Sequence, residues 1–548
     1  MNGAVLLLLG IIVLVMGYLF YGRWLAKQWG IDPSKRTPAH EMEDGIDYVP
    51  SKAPVLLGHH FSSIAGAGPI TGPIQAAVFG WIPVALWVII GGIFFGAAHD
   101  FGSLFTSIRN KGQSIGEVIS RTMGPKSKRL FIVFAFFTLV LVIAAFTSIV
   151  AGTFDGIGGT ETENETNGIA ATASISFILF AVILGVIMNR LRTSTLVSSL
   201  VAMVFLVVSI IVGNLCPILI SENVWIVILA IYIIAASVAP VWILLQPRDF
   251  MCSFLLYGLL FVSLIGIFVV MPEMNLPGFT SFETSVGYLF PALFITVACG
   301  AISGFHSLVS SGTTSKQIDN EANALPIAYG GMLIECVLAL IALVCVGVLF
   351  TGSMPSGTPT EVFARGATQI ITSLGLEAHS TVVYSLIILV ISSFALTSLD
   401  TATRLGRFLF QEFFDEGSSS VRVMLTNPLV STLITVGLGV GLALIGYQNI
   451  WGLFGAANQL LAVIAILAVS AWLGHAGLNY RMLVVPMIFM LIVTLTSLAI
   501  LIYDKFMLLT GGFELFALIQ MLIAMVLFVL AIILMKDGSR VLLRVSEK

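Results

Sequence analysis

The chain has 548 residues, of which 58% are apolar and only 10% are charged, and its formal net charge is −3. Ordinary soluble domains carry roughly 25% charged residues, so a water-soluble fold would lack polar surface to cover this chain. The weak net charge gives no basic field of the kind nucleic acid requires, and no nucleic-acid partner is expected.

Apolar runs of about 20 residues, enough to cross ~30 Å of hydrocarbon, recur from end to end and predict an all-α polytopic membrane protein. Fifteen spans are read. The first, Ala4 to Gly22, has no base before it and no small-residue cleavage site after it, which predicts a retained helix over a signal peptide. Spans at 59–78, 82–106, 130–150, 169–188 and 195–213 follow, then 224–244, 250–270, 287–310, 326–350 and 380–403. The last four are 428–446, 453–472, 482–502 and 515–535. Two amphipathic loop segments, Ile115 to Met123 and Arg404 to Phe414, read as helices lying on the membrane surface. The five cysteines (Cys216, Cys252, Cys299, Cys336, Cys345) show no CxxC spacing and read as small buried residues.

An odd span count puts the termini on opposite sides, and Lys/Arg bias sets the orientation. With the N-terminus outside and the C-terminus cytoplasmic, 23 of the 25 bases fall on the inner side; only Arg365 and Lys505 do not. The loop 151–168 carries Asp155, Glu161, Glu163 and Glu165 and no base, as an outer loop should.

Spans two to six and seven to eleven form two blocks of five with opposite orientation, the pattern of an inverted-repeat transporter. This divides the chain into a peripheral helix and loop (1–58), a first repeat (59–213), a second repeat (224–410) and four additional helices (411–548). In such folds the first helix of each repeat is interrupted and lines the binding site. The second span opens GHHFSSIAGAGPITGP (58–73). Its Gly66, Gly68, Pro69, Gly72 and Pro73 cost several kcal/mol of helix propensity, at about 1 per Gly and 3 per Pro. Unwound backbone at membrane depth survives only where it is buried in protein or lines a wet cavity, and its free amides suit a carboxylate. Close helix packing through Gly68 and Gly72 is the alternative. The candidate substrate site gathers His59, His60, Ser62, Ser63, Ala65, Gly66, Gly68, Thr71 and Gly72 here, with Val238 and Pro240 facing them from SVAPVWILLQPRD (237–249), where Pro240 kinks the span.

These stretches, with AAHDF (97–101), FITVACGAISGFHSLVSSGTT (294–314), FALTSLDTATRLGRF (394–408) and WGLFGAANQLLA (451–462), resemble the carbon starvation protein A (CstA) family. The resemblance runs from about residue 50 to 472 in the family's order. It implies the amino acid–polyamine–cation (APC) superfamily fold, also called the leucine-transporter (LeuT) fold, with its five-plus-five core. It also implies a secondary transporter associated with carbon starvation, importing pyruvate or short peptides, and no cofactor.

Ionisable and polar groups at membrane depth are functional candidates by default. The ninth span, read as the fold's eighth core helix, places Ser307, Ser310 and Ser311 on one face, where they would share a sodium ion with carbonyls near Ala65 and Gly66 or back-bond to their own helix. His306 and the mid-span Glu335 could each carry a coupling proton, or act as hydrogen-bonded packing residues. Asp100 and Asp400, at inner span ends near Arg109 and Arg404, read as gate ion pairs or as solvated interface charges. Asn458 and Gln459 read as helix glue outside the repeats.

No GxxxxGK[ST] supports an ATP-driven pump and no HExxH or paired-carboxylate motif supports an enzyme, so neither a catalytic residue nor a metal ligand is assigned. A channel would more naturally repeat short identical subunits. A proton-coupled symporter of a small carboxylate or short peptide is the leading expectation. Sodium-coupled transport of amino acids or other small carboxylates is the alternative, a membrane-embedded enzyme less so, and no oligomeric state is assigned.

Overall fold

The computed structural model describes residues 1–45, 47–191, 194–240, 243–414 and 420–546. Eleven of its helices are long and apolar enough to cross a membrane, and two shorter apolar helices accompany them. In chain order the main helices are α1 (Gly3–Trp29), α2 (Ala53–Ile64), α3 (Gly68–Ala76), α4 (Trp81–Arg109), α5 (Ile115–Met123), α6 (Pro125–Thr153), α7 (Glu161–Leu191), α8 (Thr195–Leu215), α9 (Glu222–Val238) and α10 (Leu245–Val270). They continue as α11 (Leu289–Thr296), α12 (Gly304–Gly312), α13 (Glu321–Leu349), α14 (Pro359–Thr372), α15 (Ser380–Phe414), α16 (Pro428–Ala443), α17 (Tyr447–His475), α18 (Arg481–Gly511) and α19 (Leu515–Ser546). A two-stranded hairpin pairs Glu283–Thr284 with Gly287–Tyr288 ahead of α11.

Local chemistry sets the boundaries. Gly124, at φ +97°, makes the turn that lets Pro125 open α6, and a missing N–H costs nothing at a first helical position. α14 starts in a full capping box, with Thr358 and Glu361 exchanging side-chain-to-backbone hydrogen bonds and Pro359 inside the first turn.

Two groups of helices enclose the centre. α6, α9, α15 and α16 pack on one another as one block. α2, α3, α4, α12 and α13 form the second, with α11 against α3 and α17 wedged against both. Burial ranks the spans: 94% of the apolar window of α17 is buried, against 22% for α8. α17, expected among the additional helices, is therefore central, and the α7–α8 hairpin is peripheral. α1 lies in a groove on α13 and α4, with Gly3 facing Val344, Gly10 facing Leu340 and Gly17 facing Ile93.

Two helices are interrupted at mid-depth. The first interruption is at 65–67, as expected: α2 ends as Ala65 swings to ψ 65°, the Gly66 N–H turns back to the Ile64 carbonyl at 2.8 Å, and Pro69 lies in the first turn of α3. The second is not at Pro240. Pro240 is exposed beyond the end of α9, where Ala239 is extended as a residue before proline prefers; it terminates a helix instead of kinking one. Val238 is likewise 44% exposed, and Trp242 of the quoted motif lies outside the described residues. The second interruption falls at 297–303, between α11 and α12, so the ninth span is a broken helix.

Candidate functional site

The two interruptions touch. A Cβ on Gly68 would sit 2.5 Å from Cys299 Sγ, and one on Gly72 would sit 2.7 Å from the Thr296 carbonyl oxygen. Packing, the alternative considered for these glycines, is thus a large part of their role. α17 serves the second break: the Asn458 side-chain oxygen accepts the Phe305 N–H at 2.9 Å, its amide donates to Ser303 Oγ at 3.0 Å, and Gln459 donates to the Phe294 carbonyl at 2.5 Å. Trp87 and Trp451 donate to the Val297 and Thr296 carbonyls. Side chains thereby take up some of the backbone groups that unwinding frees.

Beside the breaks lies a wholly buried ionisable chain. His99 Nδ1 is 2.7 Å from one oxygen of Asp100, and His306 Nδ1 is 2.8 Å from the other. His306 Nε2 then lies 3.5 Å from Glu335 Oε2. α4, α12 and α13 supply these groups, and the Ile64 carbonyl at the end of α2 faces the His306 ring. His60 is also buried, its Nδ1 2.8 Å from Thr314 Oγ1 and its ring against Gly331, one turn before Glu335 on α13. Neither Glu335 oxygen nor His306 Nε2 has a hydrogen-bond partner among the described residues. A proton placed between them supplies the missing bond, and buried charge persists only when paired.

A second network lies between the centre and the face bearing Lys35, Arg36, Arg109, Lys111 and Lys316, hereafter the basic face. Buried Arg248 of α10 is ion-paired with Asp400 of α15 and with Asp249 at 3.0 Å, and donates to Tyr232 of α9 at 2.8 Å. Tyr232 in turn donates to Asp400 at 2.7 Å. His59 of α2, its side chain 25% exposed, comes within 3.5 Å of Asp249. Beneath this cluster a cavity of about 360 Å³, lined by His59, Asp249, Ser311, Lys316 and Arg404 among others, opens on the basic face.

The expected site residues therefore divide. Asp100 does not pair with Arg109, which binds Glu321 at 2.6 Å; it belongs to the buried chain. Asp400 pairs with Arg248, while Arg404 donates to the Ala236 and Ala239 carbonyls. Both aspartates were placed too near the surface because their helices run on past the apolar stretch: α4 extends to Arg109 and α15 to Phe414, about 14 and 21 Å further at ~1.5 Å per residue. Ser62 and Ser63 back-bond to the Gly58 and His59 carbonyls, and Ser307 and Ser311 to those of Gly304 and Ser307. Ser310 Oγ is buried without a partner among the described residues. The hydroxyl reaching the first break is that of Ser398 on α15, which donates to the Ser63 carbonyl at 3.4 Å and stands against Gly66. Val238 and Pro240 do not reach the centre. Sequence reasoning missed His99, Tyr232, Arg248 and Ser398. The adjacent pairs His99–Asp100 and Arg248–Asp249, each an ionisable doublet at a span end, were the available signal.

A multi-pass helical protein with two broken helices in contact, a buried chain of ionisable groups beside them and a buried ion-pair network on one side is a secondary transporter of the cell membrane. The comparisons agree. The profile of the family described as Carbon starvation protein CstA matches residues 2–356 and 351–497. The chain is 33% identical to the Peptide transporter CstA of Campylobacter jejuni, over 89% of this chain and 79% of that protein. It is 32% identical to the Peptide transporter CstA of Escherichia coli, over 90% and 80%. With the Pyruvate/proton symporter BtsT of Escherichia coli it shares 30% identity, again over 90% and 80%. Among solved structures, a point mutant of the Eremococcus coleocola manganese transporter superposes with a TM-score of 0.50 at 12% identity, covering 91% of this chain and 99% of that one. At that identity the likeness is one of fold alone, of the LeuT type. The chain belongs to the carbon starvation protein CstA family.

Proposed function

We propose that this chain is a proton-coupled symporter that carries a small carboxylate or short peptide inward by alternating access. The observation that supports it best is the His99–Asp100–His306–Glu335 chain. It joins α4, α12 and α13 beside both breaks, and the contact between His306 Nε2 and Glu335 is where a proton would fit. Protonation there would change how α12 and α13 attract each other, and so bias the helices that carry the substrate site. Relatives named for peptide transport and for pyruvate/proton symport support the substrate class and the coupling ion. Sodium remains the alternative coupling ion, separated by the same assay.

In this reading the eleven long, two shorter and two interrupted helices make fifteen passes, with the N-terminus outside and the basic face cytoplasmic. The repeats are α2/α3, α4, α6, α9, α10 and α11/α12, α13, α15, α16, α17. Each then opens on a broken helix, and the α7–α8 hairpin becomes an insertion. The Arg248–Asp400–Tyr232 network, with His59 holding Asp249, is the cytoplasmic gate. Gly66, Thr71 and the backbone at 65–67 and 297–303 form the substrate site.

Proteoliposomes with proton and sodium gradients imposed separately test this. Uptake of pyruvate, an amino acid or a dipeptide should follow the proton gradient, and Glu335→Gln should lose gradient-driven accumulation while still exchanging substrate. Accumulation driven by sodium alone would overturn proton coupling.

A further inference from the structure

On the face opposite the basic loops, a cavity of about 280 Å³ descends to the first break. Thr71, near the start of α3, lines it; the residue is 1% exposed and its hydroxyl has no hydrogen-bond partner among the described residues. Glu222, the first residue of α9, and Ser148 and Gly152 of α6 also line it. The Ser148 hydroxyl hydrogen-bonds the Glu222 carboxylate, and Asp155 is a second carboxylate close by. Asp155 is engaged by its own loop, accepting the Ile157 and Gly158 N–H groups at 3.1 and 3.2 Å. Glu222 is the carboxylate that lines the cavity, and among the described residues lining it there is no Lys, Arg or His.

The charge pattern discriminates between substrates. A simple keto-acid anion descending this cavity meets Glu222 as the charged side chain of the lining and gains no counter-ion. A zwitterion presents an ammonium that Glu222 attracts, and its carbonyl or carboxylate oxygen can then accept the unpartnered Thr71 hydroxyl. A buried hydroxyl without a partner is costly unless a ligand or water serves it.

Resting on the transporter reading above, we propose that the Thr71–Glu222 cavity is a subsite for a protonated amino group. The preferred substrate class is then an amine-bearing acid, an amino acid or short peptide, and not a keto acid.

The test is binding to the purified full chain, read by calorimetry with alanylalanine, N-acetyl-alanylalanine and pyruvate. Alanylalanine should bind, and acetylation should weaken it by about tenfold or more, as expected for loss of a close charge pair. Glu222→Gln should weaken alanylalanine by a similar factor and leave N-acetyl-alanylalanine unchanged, with Glu222→Asp retaining the preference. The acetylation comparison on the unmodified protein decides the matter even if Glu222→Gln fails to fold. Equal or tighter binding of the acetylated peptide or of pyruvate, or no binding of alanylalanine, overturns the subsite. The expected pattern without proton-driven uptake would sink the symport reading and leave the subsite standing.

Discussion

Arg248 offers the sharpest test of how the closed state is held. Its guanidinium serves Asp400, Asp249 and the Tyr232 hydroxyl, and the side chain is 1% exposed. Arg248→Met keeps most of the stem and removes the cation. It leaves two buried carboxylates, of which Asp249 retains His59 at 3.5 Å and Asp400 retains only the Tyr232 hydroxyl at 2.7 Å. Breaking a buried pair from one side typically costs about 3–5 kcal/mol, because the orphaned charge stays desolvated. At 1.4 kcal/mol per decade that is roughly a hundred- to several-thousand-fold in the population of the closed state. Asp400→Asn should be milder, about 1–3 kcal/mol, since Arg248 keeps Asp249 and the amide still accepts from Tyr232. Adding Asp400→Asn and Asp249→Asn to Arg248→Met should recover much of the loss, because uncharged partners no longer need a cation. The assays are the apparent melting temperature in detergent and the alkylation rate of a cysteine placed at Gly66. Arg248→Met should melt earliest and admit a reagent from the basic face fastest. Wild-type melting and wild-type alkylation in Arg248→Met would refute the idea that this network holds the face shut.

Further outcomes follow from other contacts. Gly304→Ala should destabilise the protein by about 1–3 kcal/mol or more, because its Cβ would sit 2.3 Å from the Asn458 carbonyl oxygen and 2.4 Å from the Ala462 nitrogen, both backbone; an unchanged melting temperature would contradict that packing. Asn458→Ala removes the cap on α12 and should cost about 0.5–2 kcal/mol, with loss of uptake exceeding loss of fold; full transport would show that the cap does not position His306. Cys216 is the exposed cysteine, the other four being buried. A membrane-impermeant maleimide should label it in intact cells if the N-terminus is outside, and labelling only after lysis would invert the topology.

Much of this was legible before any coordinates. Composition dictated a membrane protein, and GHHFSSIAGAGPITGP announced the first interruption, since no helix interior tolerates so many glycines and prolines without a reason. The second interruption hid because ACGAIS carries one glycine and no proline; what unwinds it is tertiary, namely the side chains of Asn458, Gln459, Trp87 and Trp451, which take over the backbone groups a helix would have paired. Pro240 misled in the opposite sense, because proline ends helices as readily as it bends them. Asp100 and Asp400 were drawn too close to water because an apolar stretch measures the bilayer, whereas a helix can continue beneath a roof of protein. Asp100, His306 and Glu335 were named one by one; their joining through the two nitrogens of His306 is a fact of three helices meeting, which no single-chain pattern encodes.

The glycines of α1 have a practical corollary. Spaced seven apart and seated against α13 and α4, Gly3, Gly10 and Gly17 let the first helix ride on the one that bears Glu335, and the Met1 amino group is tied to the Met274 carbonyl at 3.1 Å. A fluorophore near that amino terminus would then sense the tilt of α13 during the cycle from the far end of a lever. A bulky fusion joined there would brake the same stroke.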